Sequence, residues 1–315
     1  MRLLLRLVSV ALAALTIPAC VHPCDAKRSD TKLKSALLPR FEKSSEKALT
    51  RSFDVYRSRR SRSGPPVLLL HEIPALSGSV LDLADRLGGK GYDVYVPLLW
   101  GSIDDDARSK SLAIRRLAWS VFSRDWRTIG GRVDRGIVGE MHALIVNRIA
   151  RDHPGEPISV IGNCISGPVP LALAARMPRT VVAPVLSQPA SPFYPKADSG
   201  ISPVDMERIR SLARRGDAPQ VLVYRFECDS ASPSVRLARL KCELGSDCII
   251  DGTIPASLYV EGDQMNPRSH SVLSGCYLDG KPRSTRHAWN ELLRFLDAKL
   301  RHEKPRRFKF KPYPG

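Results

Sequence analysis

The sequence predicts an α/β fold in which a mainly parallel central sheet is flanked by helices on both faces. Short, continuous apolar runs alternate along the chain with longer segments whose apolar residues recur at helical spacing, which is the pattern of strands buried between helices. Of the 315 residues, 43% are hydrophobic and 26% are charged, so a sizeable core can form. In such sheets the functional residues lie in loops beyond the carboxyl ends of the strands.

The predicted elements follow one another in order along the chain. Strands are expected at 67–70, 92–96, 158–161, 181–186 and 221–226, with a short late strand at 257–260. Helices are expected at 78–88, 133–151, 170–175 and 284–300. The first of these helices is ended by Gly88-Gly89, and the last is begun by Ser284 as its cap.

Residues 1–19 have the layout of a secretory signal peptide. Two arginines precede an apolar stretch, and Ile17-Pro18-Ala19 forms a candidate cleavage site directly before Cys20. That cysteine opens a second option, a lipoprotein signal in which Cys20 takes the lipid and tethers the protein to a membrane. The alternatives are a misplaced start codon or a helix that is never cleaved. We expect an exported protein that is either periplasmic or a membrane-anchored lipoprotein.

The charge pattern divides the remaining chain into three parts. Residues 20–50 are rich in Lys, Ser and Asp without periodicity and are predicted to be a linker, followed by one domain over 51–300 and a basic tail over 301–315. The 49 basic and 32 acidic residues give a net charge of +17, which favours anionic surfaces. The basic residues are dispersed apart from 57–62 and the tail, and no recognition motif is present, so nucleic-acid binding is not expected.

The seven cysteines fit no metal site, because the sequence has no Cys-x-x-Cys pair and no histidine at zinc spacing. No metal or organic cofactor is therefore expected. If the protein is exported, some of Cys228, Cys242, Cys248 and Cys276 could pair as disulfides, with the pairing left open. For any single one of them, an ordinary core residue is the stronger interpretation.

A candidate nucleophile lies directly after the strand at 158–161. The turn reads Gly162-Asn163-Cys164-Ile165-Ser166-Gly167 and leads into a helix. Small residues two before and two after a nucleophile, at a strand–turn–helix corner, are typical of the nucleophile elbow of α/β-hydrolases, with Cys164 here in place of serine. The helix N-terminus would lower the pKa of the thiol and offer N–H groups to an oxyanion. The alternative is a buried structural cysteine.

The loop after the first buried strand reads His71-Glu72-Ile73-Pro74. In elbow enzymes this loop donates the second oxyanion N–H. Glu72 would then lie close to Cys164, where a carboxylate can take up or orient the thiol proton. The alternative is a solvated acid at a strand end.

The acid and the histidine of an α/β-hydrolase follow the nucleophile in the chain, in loops after late strands. Asp229 follows the strand at 221–226 and is the candidate acid, and His270 is the candidate base. The competing acids are Asp251 and Asp263. The competing histidines, each better explained as solvated or packed, are His22, His142, His153, His287 and His302.

Taken together, these segments resemble the dienelactone hydrolase family. The resemblance is carried by residues 65–101, 159–167, 221–229 and 268–273, and it spans roughly 52–300. It implies the α/β-hydrolase fold and the cleavage of small carboxylic esters or lactones through an acyl-thioester. Cys164 would be the nucleophile, His270 the general base and Asp229 its orienter. Glu72 would help to ionise the thiol, and the N–H groups of Ile73 and Ile165 would form the oxyanion hole.

Two features depart from that family. Its lactonase binds the substrate carboxylate with arginines, and the candidates here, which solvated charge explains as well, are Arg115, Arg116, Arg124, Arg127 and Arg268. The insertion-like stretch 100–135 holds three of the four tryptophans and is predicted to form a lid. The competing function is a non-catalytic, envelope-associated binding protein on a hydrolase scaffold.

Overall fold

Strands and helices alternate along the chain as the sequence predicts. The computed structural model describes residues 29–127, 136–258, 269–277, 283–302 and 306–313. The strands are β1 (Phe41–Lys47), β2 (Ser52–Ser58), β3 (Pro66–Leu70), β4 (Asp93–Pro97), β5 (Ile158–Asn163), β6 (Val181–Ser187), β7 (Val221–Phe226) and β8 (Ile249–Ile254). The signal peptide at 1–19, Cys20, His22, Asp263 and Arg268 lie outside the described residues.

The helices connect these strands. They are α1 (Asp30–Leu37), α2 (Gly78–Gly89), α3 (Lys110–Phe122), α4 (Ile137–Leu144), α5 (Val169–Arg176), α6 (Pro203–Arg214), α7 (Ser234–Leu244) and α8 (Arg283–Leu300). A π-helical stretch, Ile145–Ile149, and a last turn, Ala150–Asp152, extend α4. Within these described ranges no helix is both long and apolar enough to span a membrane.

The strands form one sheet in the order β1-β2-β4-β3-β5-β6-β7-β8. Strands β3 to β8 pair in parallel, whereas β1 and β2 are antiparallel at one edge. The register pairs Leu70 with Gly162, Asn163 with Ser187, and Ser187 with Tyr224. The carboxyl ends of β3, β5, β6 and β7 therefore meet at the same edge of the sheet.

The core lies on both faces of the sheet because successive side chains of a strand point in opposite directions. Leu68 and Leu70 pack with α4 to α7 on one face. Val67 and Leu69 pack with α2 and α8 on the other. The predicted fold class, a mainly parallel sheet between two helical layers, is confirmed.

The predicted linker over 20–50 is wrong for its second half, which forms α1 and β1. The carboxylate of Asp30 accepts a hydrogen bond from the N–H of Gly78 at 2.6 Å, so α1 caps the start of α2. Strand β1 pairs with β2 along its whole length. The sequence pattern did not predict this strand, because an edge strand with only Phe41 fully buried, here FEKSSEK, has no apolar run.

The predicted basic tail also differs from a solvated end. Within 306–313, Phe308 is buried and its ring lies 5.4 Å from that of Phe295. The backbone N–H of Phe308 donates to Gln220 at 2.7 Å, and the hydroxyl of Tyr313 donates to the carbonyl of Gly252 at 2.9 Å. The aromatic residues between the charges hold this segment against the domain.

The late strand is placed earlier than predicted. Residues Ala256–Leu258 form a 3-10 turn, and β8 spans Ile249–Ile254. Two polar positions interrupt the apolar pattern of β8 because it is the last strand of the sheet and Asp251 faces solvent.

Candidate active site

The four residues predicted to carry the chemistry lie in segments that follow the strands at one edge of the sheet. Glu72 follows β3, Cys164 follows β5, Asp229 follows β7, and His270 follows β8. Since the carboxyl ends of parallel strands meet, the topology gathers these segments even though 198 positions separate Glu72 from His270 in the numbering.

Cys164 has a backbone conformation that residues other than glycine rarely adopt. Its φ is 54°, in the left-handed region, at the start of the 3-10 turn Cys164–Ser166. A Cβ on Gly162 would lie 2.3 Å from the carbonyl oxygen of Ser166, and one on Gly167 would lie 2.5 Å from the Cα of Pro189. The small residues of the predicted elbow are therefore required by close backbone approach.

Hydrogen bonds fix the nucleophile turn from two neighbouring segments. The side-chain amide of Asn163 donates to the carbonyl of Leu70 at 2.9 Å, and the N–H of Asn163 donates to the hydroxyl of Ser166 at 2.9 Å. The carbonyl of Cys164 accepts from the N–H groups of Gly167 and Ala190 at 3.0 and 2.9 Å. Ser166, a departure from the glycine that the elbow pattern prefers, thus contributes a hydrogen bond within the turn.

His270 and Asp229 form a buried pair. Nδ1 of His270 lies 2.7 Å from Oδ2 of Asp229, and both residues are at most 2% exposed. The other oxygen of Asp229 accepts from the N–H groups of Ala231 and Ser232 at 2.9 and 3.1 Å. Because the carboxylate is held from the other side, Nδ1 of His270 carries the hydrogen and Nε2 is the basic nitrogen.

Glu72 is buried against the loop that carries His270. Its two carboxylate oxygens accept from the hydroxyls of Ser271 at 2.8 Å and Ser274 at 3.3 Å. Burial raises the pKa of Glu72, while the charge of His270 and the two serines act to lower it. The carboxylate therefore clamps the loop 269–277 to the end of β3, a contact that the sequence did not predict.

His71 and Trp100 hold the loop that carries Glu72 and Ile73. The N–H of Leu99 donates to Nε2 of His71 at 2.9 Å, so Nδ1 carries the hydrogen and donates to the carbonyl of Glu72 at 2.9 Å. Burial lowers the pKa of His71 to about 4, which keeps the ring neutral. The indole N–H of Trp100 donates to the carbonyl of Pro74 at 3.1 Å.

The two predicted oxyanion residues each follow one of the key side chains. Ile73 comes directly after Glu72, and Ile165 comes directly after Cys164. Both are buried in the same apolar cluster as Cys164, which also contains Trp100 and Trp126. The backbone N–H of Ile73 is thus in the loop that His71 and Trp100 hold, and that of Ile165 is in the nucleophile turn itself.

The stretch predicted to be a lid contains α3 and an aromatic cluster. The ring of Trp100 lies 4.7 Å from that of Trp126 in an edge-on arrangement and 6.4 Å from that of Trp119. Trp126 is fully buried. Two of the three tryptophans are therefore part of the packed core, and a lid role for this stretch stays a prediction.

The candidate substrate arginines of this stretch point mainly to solvent. Arg116 forms an ion pair with Asp105 at 3.2 Å. The exposed ones are Arg115, Arg124 and Arg127.

The competing residues have other partners. Asp251 pairs with Lys241 at 2.7 Å. His287 contacts the carbonyl of Lys311 at 2.8 Å, and the ring of His153 lies between Asp93 and Glu156 at 2.8 and 3.3 Å. His142 is half-buried on α4, and His302 is exposed.

Of the four cysteines considered for disulfides, only Cys276 is in one among the described residues. Cys164, Cys228, Cys242 and Cys248 are not disulfide-bonded. Cys276, in the loop of His270, is disulfide-bonded. In the part of the chain that the structure describes, no cluster of His, Cys, Asp or Glu could hold a metal ion.

Comparison with known proteins gives similarity in structure only. No family model matches the sequence, and no curated protein matches it. A provisionally assigned dienelactone hydrolase from Klebsiella pneumoniae subsp. pneumoniae MGH 78578 is similar with a TM-score of 0.55 and 17% identity, over 81% of this chain and 96% of that one. A dienelactone hydrolase-like promiscuous phosphotriesterase, P91, from metagenomic libraries has a TM-score of 0.55 and 14% identity, over 81% and 95% of the two chains. A provisionally assigned lipase from Acinetobacter baumannii AYE has a TM-score of 0.52 and 13% identity, over 86% of this chain and 97% of that one.

Proposed function

We propose that this chain, which has the α/β-hydrolase fold, hydrolyses small carboxylic esters or lactones through Cys164, His270 and Asp229. The observation that carries the proposal is the buried His270–Asp229 pair, at 2.7 Å, on the same sheet edge as a cysteine held in a left-handed turn. A structural cysteine has no need of that backbone conformation, which raises the free energy of the folded chain.

The reaction follows from these groups. Nε2 of His270 takes the proton of the Cys164 thiol, and the thiolate attacks the carbonyl carbon of the ester. The N–H groups of Ile73 and Ile165 stabilise the oxyanion. The imidazolium then protonates the leaving alcohol, which leaves an acyl-thioester on Cys164. Nε2 next takes a proton from water, the hydroxide attacks the thioester, and the carboxylic acid leaves as the thiol is reprotonated.

Asp229 and Glu72 have supporting roles in this reaction. Asp229 holds the tautomer of His270 and stabilises the imidazolium. Glu72 adds negative charge near the histidine and, through Ser271 and Ser274, fixes the loop on which the base is carried. Glu72 therefore acts on the base of the reaction as well as on the thiol.

The test is the turnover of short p-nitrophenyl esters and aryl lactones by the purified protein. Cys164→Ala and His270→Ala are compared with Cys242→Ala, which removes an exposed cysteine on α7. We expect the parent and Cys242→Ala to hydrolyse the esters and the two site variants to lose this activity. Inactivity of the parent on all esters and lactones, or activity of the site variants equal to the parent's, would favour the binding-protein alternative.

We also propose that the protein is exported. The signal-like sequence of residues 1–19 supports this, and so does the disulfide at Cys276, because disulfides persist in oxidising compartments. Fractionation of cells that express the full chain tests the location, and Cys20→Ser tests the lipid. A lipoprotein would leave the membrane fraction in this variant, whereas a periplasmic protein would be soluble with or without the cysteine. Recovery of the parent in the cytoplasm would contradict export.

A further inference from the structure

Arg236 is a buried cation beside the candidate site. It lies in the first turn of α7 and is 1% exposed. Its guanidinium donates to the carbonyl of Asp198 at 2.8 Å and to the carbonyls of Pro189 and Pro192. Among the described residues, no carboxylate lies within ion-pair distance of it. A buried guanidinium that has only neutral contacts is unfavourable unless its charge is used.

Two of the three groups whose charges act on Arg236 belong to the site. Burial lowers the pKa of Arg236 to about 10, and the charges of Asp198, Asp229 and Cys164 act in the opposite direction. At neutral pH the guanidinium therefore remains charged, and it interacts electrostatically with both the nucleophile and the acid of the proposed triad.

Arg236 also holds the segment that packs on the nucleophile turn. This segment, 189–198, supplies the carbonyls that Arg236 binds. The same segment contains Ala190, whose N–H donates to the carbonyl of Cys164 at 2.9 Å. Pro189 lies against Gly167, where a Cβ would come within 2.5 Å of its Cα. A chain of contacts thus runs from Arg236 through the segment to Cys164.

We propose that Arg236 is a positioning residue of the active site, whose charge favours the thiolate of Cys164 and whose hydrogen bonds fix the nucleophile turn. This inference rests on the proposed function, which makes Cys164 the nucleophile. Other charged or titratable groups on this edge are Glu72, Asp198, Arg225, Asp229 and His270. Arg225, which donates to the carbonyl of Ser232 at 2.7 Å, and His270 in its protonated form share the positive charge of Arg236.

Alkylation of Cys164 by iodoacetamide, measured against pH, tests the inference without a substrate. Digestion with trypsin releases residues 152–176, which contain no other cysteine, so mass spectrometry reads Cys164 alone. In Arg236→Gln, whose amide still donates to the carbonyls, the midpoint of the alkylation profile is expected to rise by about one pH unit. The matched control is Arg239→Gln, on the same helix, whose side chain is exposed and paired with Glu243. An unchanged midpoint in a folded Arg236→Gln overturns the inference.

Arg236→Lys separates the charge from the hydrogen bonds. It keeps the charge but loses the planar fork, so the midpoint is expected to stay near the parent's while kcat for the ester falls. If Arg236→Gln does not fold, the alkylation midpoint of Arg236→Lys is the test. A raised midpoint in Arg236→Lys overturns the inference. A parent that hydrolyses no ester but shows a midpoint dependent on Arg236 contradicts only the proposed function.

Discussion

The part of the chain that the structure describes contains two buried histidine–aspartate pairs, one at each end of the sheet. His270 and Asp229 lie at the carboxyl ends of the strands, 2.7 Å apart. His153 and Asp93 lie at the opposite end, where Asp93 begins β4, 2.8 Å apart. By distance and burial the two pairs are nearly equal, but their surroundings differ.

The difference is in the second nitrogen and in the neighbours of the aspartate. Nδ1 of His153 faces a second carboxylate, that of Glu156, at 3.3 Å. Asp93 also accepts from Arg57 at 2.9 Å and from Tyr95 at 3.1 Å, so the pair is part of an ion network. Asp229, in contrast, is held by backbone N–H groups. The two contacts therefore differ in their surroundings rather than in their distance, and we propose a catalytic role only for the His270–Asp229 pair.

The largest contrast is expected from removing each histidine. His270→Ala should lower kcat for the ester about 10⁴-fold with little loss of stability, because the base is lost. His153→Ala should keep kcat per folded molecule and lose about 2 kcal/mol of the free energy of unfolding, because Asp93 loses a buried donor. Ester kinetics and urea unfolding of both variants measure this. A loss of kcat in folded His153→Ala would remove the distinction between the pairs.

Substitution of the two aspartates should give the same contrast, with a smaller loss of kcat. Asp229→Asn places an amide beside Nδ1, which favours the wrong tautomer of His270, and is expected to lower kcat about 10³-fold. Asp93→Asn leaves Arg57 buried without its full partner and should cost about 3 kcal/mol of stability, with kcat retained. If Asp229→Asn kept the parent's kcat, Asp229 would not be the orienter.

Much of this arrangement could be predicted from the sequence. The central strands are apolar runs, and the elbow requires small residues around Cys164, so both leave a local signal. Their positions in loops after late strands then favoured Asp229 and His270 over the competing aspartates and histidines. These two side chains are in contact in the structure.

The remaining features of the fold and the site could not be predicted, because no short segment of the sequence indicates them. Strand β1 is polar because it lies at the sheet edge, and the segment 306–313 docks through aromatic residues placed between basic ones. Arg236 and the serine pair on Glu72 depend on contacts between segments far apart in the chain. Such contacts depend on the tertiary fold, which no single window of sequence specifies.

Glu72 offers a smaller test of the difference between the two pairs, because it supports His270 from outside the pair. Glu72→Gln keeps one acceptor for the serines but removes the charge, and is expected to lower kcat about tenfold. Glu156→Gln, which changes the half-exposed carboxylate on His153, is the matched control and should leave kcat unchanged. Equal effects of the two substitutions would contradict the clamp.

The stability of the parent relative to Glu72→Gln should depend on pH in a defined direction. Burial raises the pKa of Glu72 above its ordinary value of 4.5, so the folded state binds the proton more tightly than the unfolded state. The parent should therefore lose stability relative to Glu72→Gln as pH rises from 4 through that raised pKa. Urea unfolding at several pH values measures the difference, and a constant difference would be the contrary result.

A third buried histidine, His71, extends the comparison because its ring nitrogens contact only backbone groups. Its pKa of about 4 lies below the ordinary 6.5, so the unfolded state gains a proton first as pH falls. The parent should lose up to about 3 kcal/mol between pH 6.5 and 4, a loss that should be absent in His71→Gln. Parallel stability curves for the two proteins would show that His71 is not the cause.

The most direct test of the central claim is mass spectrometry of the protein quenched in acid within milliseconds of mixing with p-nitrophenyl acetate. We expect an acetyl group on the peptide 152–176 of the parent and no such adduct in Cys164→Ala. Ester turnover with the acetyl group on another residue, or turnover that Cys164→Ala retains, would contradict a thiol mechanism at this elbow.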